Sequence, residues 1–280
     1  MRLRSLLFVP GDRPERFDKA AQSGADALIL DLEDSVVADR KPLARDAIAE
    51  WLAATPDTPS FVRVNPLETP ALAEDLAALA PLRPTGLVLP KASGAATIRA
   101  LVAAVAQAGA VCPPILPIAT ETPAALFQLG SYGEVAAHLA GLTWGAEDLP
   151  AAIGAAGARQ ADGDYTAPFA MVRSLALFGA HAAGVAAIET VYPDIADREG
   201  LERYVARGRR DGFTGMMAIH PAQIEAINAG FTPSDEEIAA AQAIVAAFAA
   251  NPEAGALKLD GRMIDRPHLE QARRLLARAG

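Results

Sequence analysis

Residues 27–34 read Ala27-Leu28-Ile29-Leu30-Asp31-Leu32-Glu33-Asp34, an unbroken apolar run that ends in acidic residues. A run with no polar alternation is the pattern of a strand buried on both faces, as parallel strands are when helices cover them. Eight such runs punctuate the chain, at 3–9, 27–31, 61–65, 86–89, 114–120, 138–143, 184–189 and 214–219. Longer Ala- and Leu-rich stretches of helical character separate them, near 14–22, 40–54, 70–79, 94–109, 123–130, 166–183, 197–211 and 221–229. Eight strand–helix units predict an α/β fold, a (β/α)8 TIM barrel over residues 1–230. A doubly wound open sheet is the alternative; it usually has fewer strands, and no Gly-rich dinucleotide fingerprint follows the first strand. Residues 231–280 lie outside the barrel and form a C-terminal helical extension, expected to pack on its own barrel or on a neighbouring subunit. The extension opens with Thr232-Pro233-Ser234-Asp235-Glu236-Glu237, a helix start with Ser234 as N-cap and Glu237 three residues on. The helix runs to about Ala250, a Gly-containing turn segment spans 251–263, and a last helix begins near Arg266.

The composition bounds the function. Hydrophobic residues make up 51% of the 280, enough for a folded core. Against 25 Lys and Arg stand 34 Asp and Glu, a net charge of −9 that argues against general nucleic-acid binding. A small anion held by a local cluster of cations remains open. One cysteine, Cys112, makes neither an internal disulfide nor a multi-cysteine metal site, and points to a reducing compartment. Near the N-terminus the apolar run from Leu6 to Val9 stops at Pro10-Gly11-Asp12-Arg13, too short for a signal peptide, and no 18-residue apolar run occurs. A soluble cytoplasmic protein with no membrane attachment is expected.

Barrel enzymes build their sites from strand C-terminal ends and the loops that follow. Here those ends are charged one after another: Asp31-Leu32-Glu33-Asp34, Arg63 and Asn65, Lys91, Glu121, Glu147-Asp148 and His220. Glu121 and Asp148 lie one unit apart and project from neighbouring strands, so the pair suits a Mg2+ whose shell substrate and water complete. They also precede helix-like stretches and could cap them. Arg63 inside an apolar strand needs a partner, either a bound carboxylate or an acidic residue of the adjacent strand. Glu33 and Asp34 either orient Arg63 or hold metal-bound water. Lys91 is a positive group near the site, with a Schiff-base role as the less favoured reading. Arg13, Arg16 and Lys19, three apart, share one face of the first helix, where they could hold phosphates or merely face water. His220 contacts a ligand or caps the following helix.

These residues fall within an ordered set of motifs: Leu7-Phe8-Val9-Pro10-Gly11, Leu30-Asp31-Leu32-Glu33-Asp34-Ser35-Val36, Val62-Arg63-Val64-Asn65, Val88-Leu89-Pro90-Lys91, Glu121-Thr122, Trp144-Gly145-Ala146-Glu147-Asp148-Leu149, Ile219-His220-Pro221-Ala222-Gln223-Ile224 and Gly261-Arg262-Met263-Ile264-Asp265-Arg266-Pro267. In that order they resemble the citrate lyase beta-subunit-like family, within the aldolase/citrate lyase superfamily. The resemblance implies a barrel, bound Mg2+, a homotrimer or hexamer, and lyase chemistry on CoA or acyl-carrier thioesters such as citryl-, malyl- or citramalyl-CoA. It implies that Glu121 and Asp148 ligate the metal and that Arg63 binds the 2-oxo acid carboxylate. The backbone at Gly145 and Ala146 would close over that carboxylate, and Phe8, Arg16 and Lys19 would meet the CoA. Asp265 matches an acid/base residue inserted into a neighbouring subunit's site. The chain departs from the family at Phe8, where Tyr is common, and at Glu189, where Asp is common. A CoA-independent metal-dependent aldolase, and a subunit active only inside a lyase complex, are the alternatives.

Overall fold

The computed structural model describes residues 1–160 and 163–279 and divides the chain into two units, one of Leu3–Asn228 and one of Met1–Arg2 with the chain from Ala229 on. In the larger unit, eight parallel strands alternate with helices. The strands are β1 (Ser5–Pro10), β2 (Ala27–Asp31), β3 (Ser60–Arg63), β4 (Gly86–Leu89), β5 (Ile115–Pro117), β6 (Leu142–Thr143), β7 (Ala187–Glu189) and β8 (Gly215–Ala218). Helices α1 (Phe17–Ala21), α2 (Lys41–Ala53), α3 (Ala71–Leu79), α4 (Gly94–Gln107), α5 (Pro123–Leu126), α6 (Asp148–Ile153), α7 (Ala167–Ala182), α8 (Arg198–Asp211) and α9 (Ile224–Phe231) follow them in turn. The ladder runs β5-β4-β3-β2-β1-β8-β7-β6. It closes into a barrel between β5 and β6 through two isolated parallel bridges, Ile115 to Leu139 and Ile118 to Thr143.

Both faces of the strands are buried, which is why they read as continuous apolar runs. The interior is filled by Leu6, Ala27, Ile29, Phe61, Val88, Leu116, Ile118, Ile188 and Met217, contributed by seven of the eight strands or their immediate continuations. Truncating Phe61, which is 0% exposed, to Ala would cost about 3–5 kcal/mol. Register carries the chemistry: Asp31 pairs directly with Arg63 across β2 and β3, at the C-terminal end of both strands.

Two local departures from the sequence-based expectation have physical causes. The run at 138–143 yields only Leu142–Thr143 as ladder, because residues 129–138 wind into 3-10 turns that bury Tyr132. The expected turn segment at 251–263 contains a hairpin, β9 (Ala256–Leu259) antiparallel to β10 (Arg262–Asp265). Its two-residue loop is Asp260-Gly261, with φ of 47° and 80°, the positive pair that a type I′ turn requires. In this smaller unit α10 (Asp235–Ala250) starts at a capping box of Ser234 and Glu237, and α11 (Arg266–Ala279) packs Leu269 with Phe248 and Ile264 of the neighbouring elements. Among the described residues no helix is long and apolar enough to cross a membrane.

Candidate active site

The charged strand ends meet at one mouth of the barrel. Arg63 forms a bidentate pair with Asp31, Nε to Oδ1 and Nη2 to Oδ2, both 2.6 Å. Burial alone would raise the Asp31 carboxyl, but Arg63 and the amides of Glu33 and Ser35 hold it below its ordinary value. Phe8 lies under the guanidinium, 4.9 Å from the ring centre. The ion-pair reading of Arg63 is therefore realised, and it leaves capacity: a guanidinium has five N–H groups and Asp31 takes two. Nη1 stands 3.0 Å from Glu33 Oε2, which is itself a buried oxygen without an aligned hydrogen bond.

Glu33 is nearly buried, and desolvation pushes its carboxyl up despite Arg63 and Lys91. Its loop is pinned from below. Lys41 of α2 donates to the carbonyls of Leu32 (2.6 Å) and Glu33 (3.1 Å) and to Asn65 Oδ1 (2.7 Å). Asn65 in turn donates to Asp75, which Arg45 holds at 2.8 Å. Lys91 donates from Nζ to Glu33 Oε1 at 2.8 Å. Burial lowers its ammonium pKa, but the carboxylates of Glu33, Asp34 and Glu121 more than offset this, so it stays protonated and unsuited to a Schiff base. Asp34 is exposed at the rim.

Glu121 is 4% exposed and accepts the backbone N–H of Lys91, a residue held at φ 52°. Burial first, then the charges of Asp148 and Glu33, push its carboxyl up to about 8. Neither Glu121 nor Asp148 is a helix cap. Thr122 caps α5, and Glu147 occupies the cap position of α6 without a side-chain bond. Glu121 and Asp148, close enough for the charge of Asp148 to raise the Glu121 carboxyl and neither committed to capping, form a pair of hard-oxygen donors that a divalent cation would neutralise. Among the described residues no cluster of three or more His, Cys, Asp or Glu forms a protein-only cage, so water and substrate would supply the remaining ligands.

Gly145 explains how Glu121 fits. A Cβ at this position would meet Glu121 Cγ at 2.9 Å and Ile118 Cγ2 at 3.2 Å. Its N–H and C=O are both bonded to the Thr120 hydroxyl at 3.0 Å, so its amide is not available to a ligand. Ala146 beside it is buried. Arg16 and Lys19 are exposed, on a 3-10 turn and on α1. His220 caps the turn after β8, its Nδ1 accepting from Ala222 at 3.1 Å. Asp265 ends β10 in the smaller unit. A 2.5 Å contact with His268 holds its carboxyl below the usual value, so it is ionised near neutral pH. Glu189 ends β7 and is committed to protein partners: it is 0% exposed and bonded to Trp144, Arg173 and Tyr204. Asp31, Lys41, Asn65 and Thr120 were not singled out as site residues from sequence. Asp31 and Asn65 did carry a signal, as polar residues that end apolar runs.

Comparison with known proteins shows what the whole chain is similar to. A citrate lyase subunit beta-like protein of Mycobacterium tuberculosis is 40% identical over 282 aligned positions, covering 98% of this chain and 94% of the relative. A (3S)-malyl-CoA thioesterase of Cereibacter sphaeroides is 36% identical, covering 99% and 94%. The crystal structure of CitE from M. tuberculosis in complex with magnesium, acetoacetate and coenzyme A superposes with a TM-score of 0.81 at 38% identity, covering 99% of this chain and 98% of that one. Residues 4–221 match the HpcH/HpaI aldolase/citrate lyase family, and the chain belongs to it, a lyase built on a (β/α)8 barrel.

Proposed function

We propose that this lyase cleaves, with Mg2+, the bond between the carbinol carbon of a 3-hydroxy-acid thioester and the carbon α to its thioester carbonyl. The products are an acyl thioester and a 2-oxo acid, with CoA or an acyl carrier as the thiol. The observation that carries the proposal is the pair Glu121 and Asp148, neither of them capping a helix, with Glu121 linked through Lys91 and Glu33 to a guanidinium already fixed by Asp31. The M. tuberculosis CitE complex with magnesium, acetoacetate and coenzyme A supports the same partners.

Glu121 and Asp148 would hold the Mg2+, which supplies a Lewis acid for the charge that develops as hydroxyl becomes ketone. Asp31 orients Arg63, and the guanidinium N–H groups it leaves over hold the carboxylate next to the carbinol. Lys91 and Arg63 keep Glu33 in place, so negative charge at the mouth is distributed rather than free. Arg16 and Lys19, both exposed, would meet the phosphates of CoA, and Phe8 and His220 other parts of it. The hydroxyl proton would pass to the Asp265 carboxylate, the bond electrons to the thioester as an enolate, and the enolate carbon would take that same proton back from Asp265. Asp265 is the group assigned to that transfer, delivered by the extension of a neighbouring subunit in a homotrimer or hexamer. A reducing, cytoplasmic setting suits a chain with one cysteine.

The test is a Mg2+-dependent assay of purified protein with citryl-, malyl- and citramalyl-CoA, scoring 2-oxo acid and free CoA separately. Oxaloacetate, glyoxylate or pyruvate would name the substrate. Release of CoA without 2-oxo acid would favour hydrolysis, the activity named for the C. sphaeroides relative. No release from a folded, metal-loaded sample would refute a stand-alone CoA lyase.

A further inference from the structure

A second buried polar cluster stands beside the candidate site, and the mechanism above does not use it. Its hub is Glu189, the last residue of β7. Oε1 accepts from the indole Nε1 of Trp144 at 2.6 Å, the hydroxyl of Tyr204 at 3.0 Å and the amide of Thr190 at 3.0 Å. Oε2 accepts from Arg173 Nε at 2.7 Å, and Arg173 Nη1 continues to Asp211 at 2.7 Å. Tyr204 spends its one proton on Glu189, so the 3.1 Å contact between the Tyr165 and Tyr204 hydroxyls has Tyr165 as donor, and Arg159 donates to Tyr165 at 2.7 Å. One carboxylate thus ties β7 to α7, α8 and the segment after β6. Its lone pairs are used by protein donors, so it is neither a metal ligand nor an acid/base group.

The link to the site runs through Trp144, which is 0% exposed and packs edge-on to Tyr165 at 5.1 Å. Trp144 is followed by Gly145, which Thr120 clasps through both backbone groups and which leaves no room for a Cβ against Glu121. A displacement of the indole moves Gly145, and Gly145 cannot move toward Glu121 without pushing it. We propose that Glu189 is a positioning residue for the metal carboxylate: by holding the Trp144 indole it sets the backbone at Gly145 and, through it, the place of Glu121. The proposal rests on the reading of Glu121 and Asp148 as the Mg2+ ligands. An amide at this position would have to turn its NH2 group either toward the Arg173 guanidinium or toward the indole and tyrosine donors, so the carboxylate is not replaceable by its isostere.

The experiment compares Glu189→Gln, Trp144→Phe and the double variant in two readouts that do not need turnover: the Mg2+ dissociation constant by calorimetry and the tryptophan emission of the metal-free protein. Trp51 is the only other tryptophan, so the Trp144→Phe spectrum assigns the signal. Glu189→Gln is expected to weaken Mg2+ binding about tenfold, the scale seen when groups behind metal ligands are removed, and to shift the Trp144 emission. Trp144→Phe is expected to weaken it similarly, and the double variant no further than the worse single one, because both changes cut the same link. Wild-type Mg2+ affinity in either single variant, a melting temperature that falls with no change in affinity, or additive losses in the double variant would each overturn the proposal. Trp144→Phe keeps the test decisive if Glu189→Gln does not fold. A wild-type protein that binds no Mg2+ would instead overturn the ligand assignment itself, and the proposal with it.

Discussion

Gly145→Ala isolates the geometry of the candidate site with a single methyl group. The backbone at Gly145 lies outside the left-handed region, so alanine adopts it without conformational strain, and the whole effect is steric. The added carbon would sit 2.9 Å from Glu121 Cγ, where carbon atoms prefer about 3.5–4.0 Å. Ile118 Cγ2, at 3.2 Å, blocks retreat on another side, so Glu121 must yield by roughly 0.6 Å or more. That shift carries its carboxylate away from the Lys91 amide and from the position it would share with Asp148. Misplacement on the ångström scale costs about 10²-fold in rate, so kcat/KM should fall by about two orders of magnitude, close to 2.7 kcal/mol of transition-state stabilisation. Overpacking of this kind costs about 1–3 kcal/mol of stability, a drop of several degrees in Tm rather than unfolding. The assay pairs thioester cleavage across a Mg2+ titration with thermal melts with and without Mg2+. Activity within threefold of wild type in a folded Gly145→Ala protein would refute the argument that Gly145 reserves the space for Glu121.

Arg63→Met should destabilise the protein by about 3–5 kcal/mol at pH 7, because it leaves the Asp31 carboxylate buried and unpaired. In the wild type that carboxyl sits below its ordinary value of 3.8, so its contribution is complete above about pH 4 and fades only as pH falls through the lowered value; without Arg63, burial dominates and the carboxyl rises. The stability gap between variant and wild type in urea titrations should therefore narrow as pH drops from 7 to 5. Chelation should abolish turnover and lower Tm, and Mg2+ should restore both in the wild type but neither in Glu121→Gln, as read in parallel melts and assays. Asp265→Asn should cut turnover while 2-oxo acid binding and Tm hold, since its pairing with His268 is exposed and screened; a Tm loss with unchanged turnover would remove it from the chemistry.

The eight strand positions were legible because each is buried on both faces, and burial leaves an unbroken apolar run. The charged strand ends were legible for the converse reason, since a barrel that only folds has no need of them. Register was not. That Asp31 lies directly across from Arg63 is a property of two runs together, so sequence left ion pair and ligand contact side by side, while the structure satisfies the pair first and leaves N–H groups over. The network of Glu189 was out of reach, because Trp144, Arg173 and Tyr204 come from three separate segments that only the fold assembles. The hairpin before α11 did carry a local signal, Asp260-Gly261 between apolar-alternating residues, but four-residue strands outside the barrel pattern were absorbed into a turn. The 3-10 stretch at 129–138 hid behind an apolar composition that suits strand, helix and turn alike.

The barrel closes at a seam where continuous ladder gives way to two bridges, Ile115 with Leu139 and Ile118 with Thr143, extended by the clasp of Thr120 on Gly145. The two carboxylates assigned to the cation stand on opposite sides of that seam, Glu121 past β5 and Asp148 past β6. A cation gripped by both would act as a rivet through the join held by isolated bridges, so that catalytic loading and mechanical closure would become one event. The amides of Ala119 and Ala140, which bond across the join to Thr143 and Ile115, should then exchange with solvent sooner than the rest of the wall in the absence of metal and slow together when it is added.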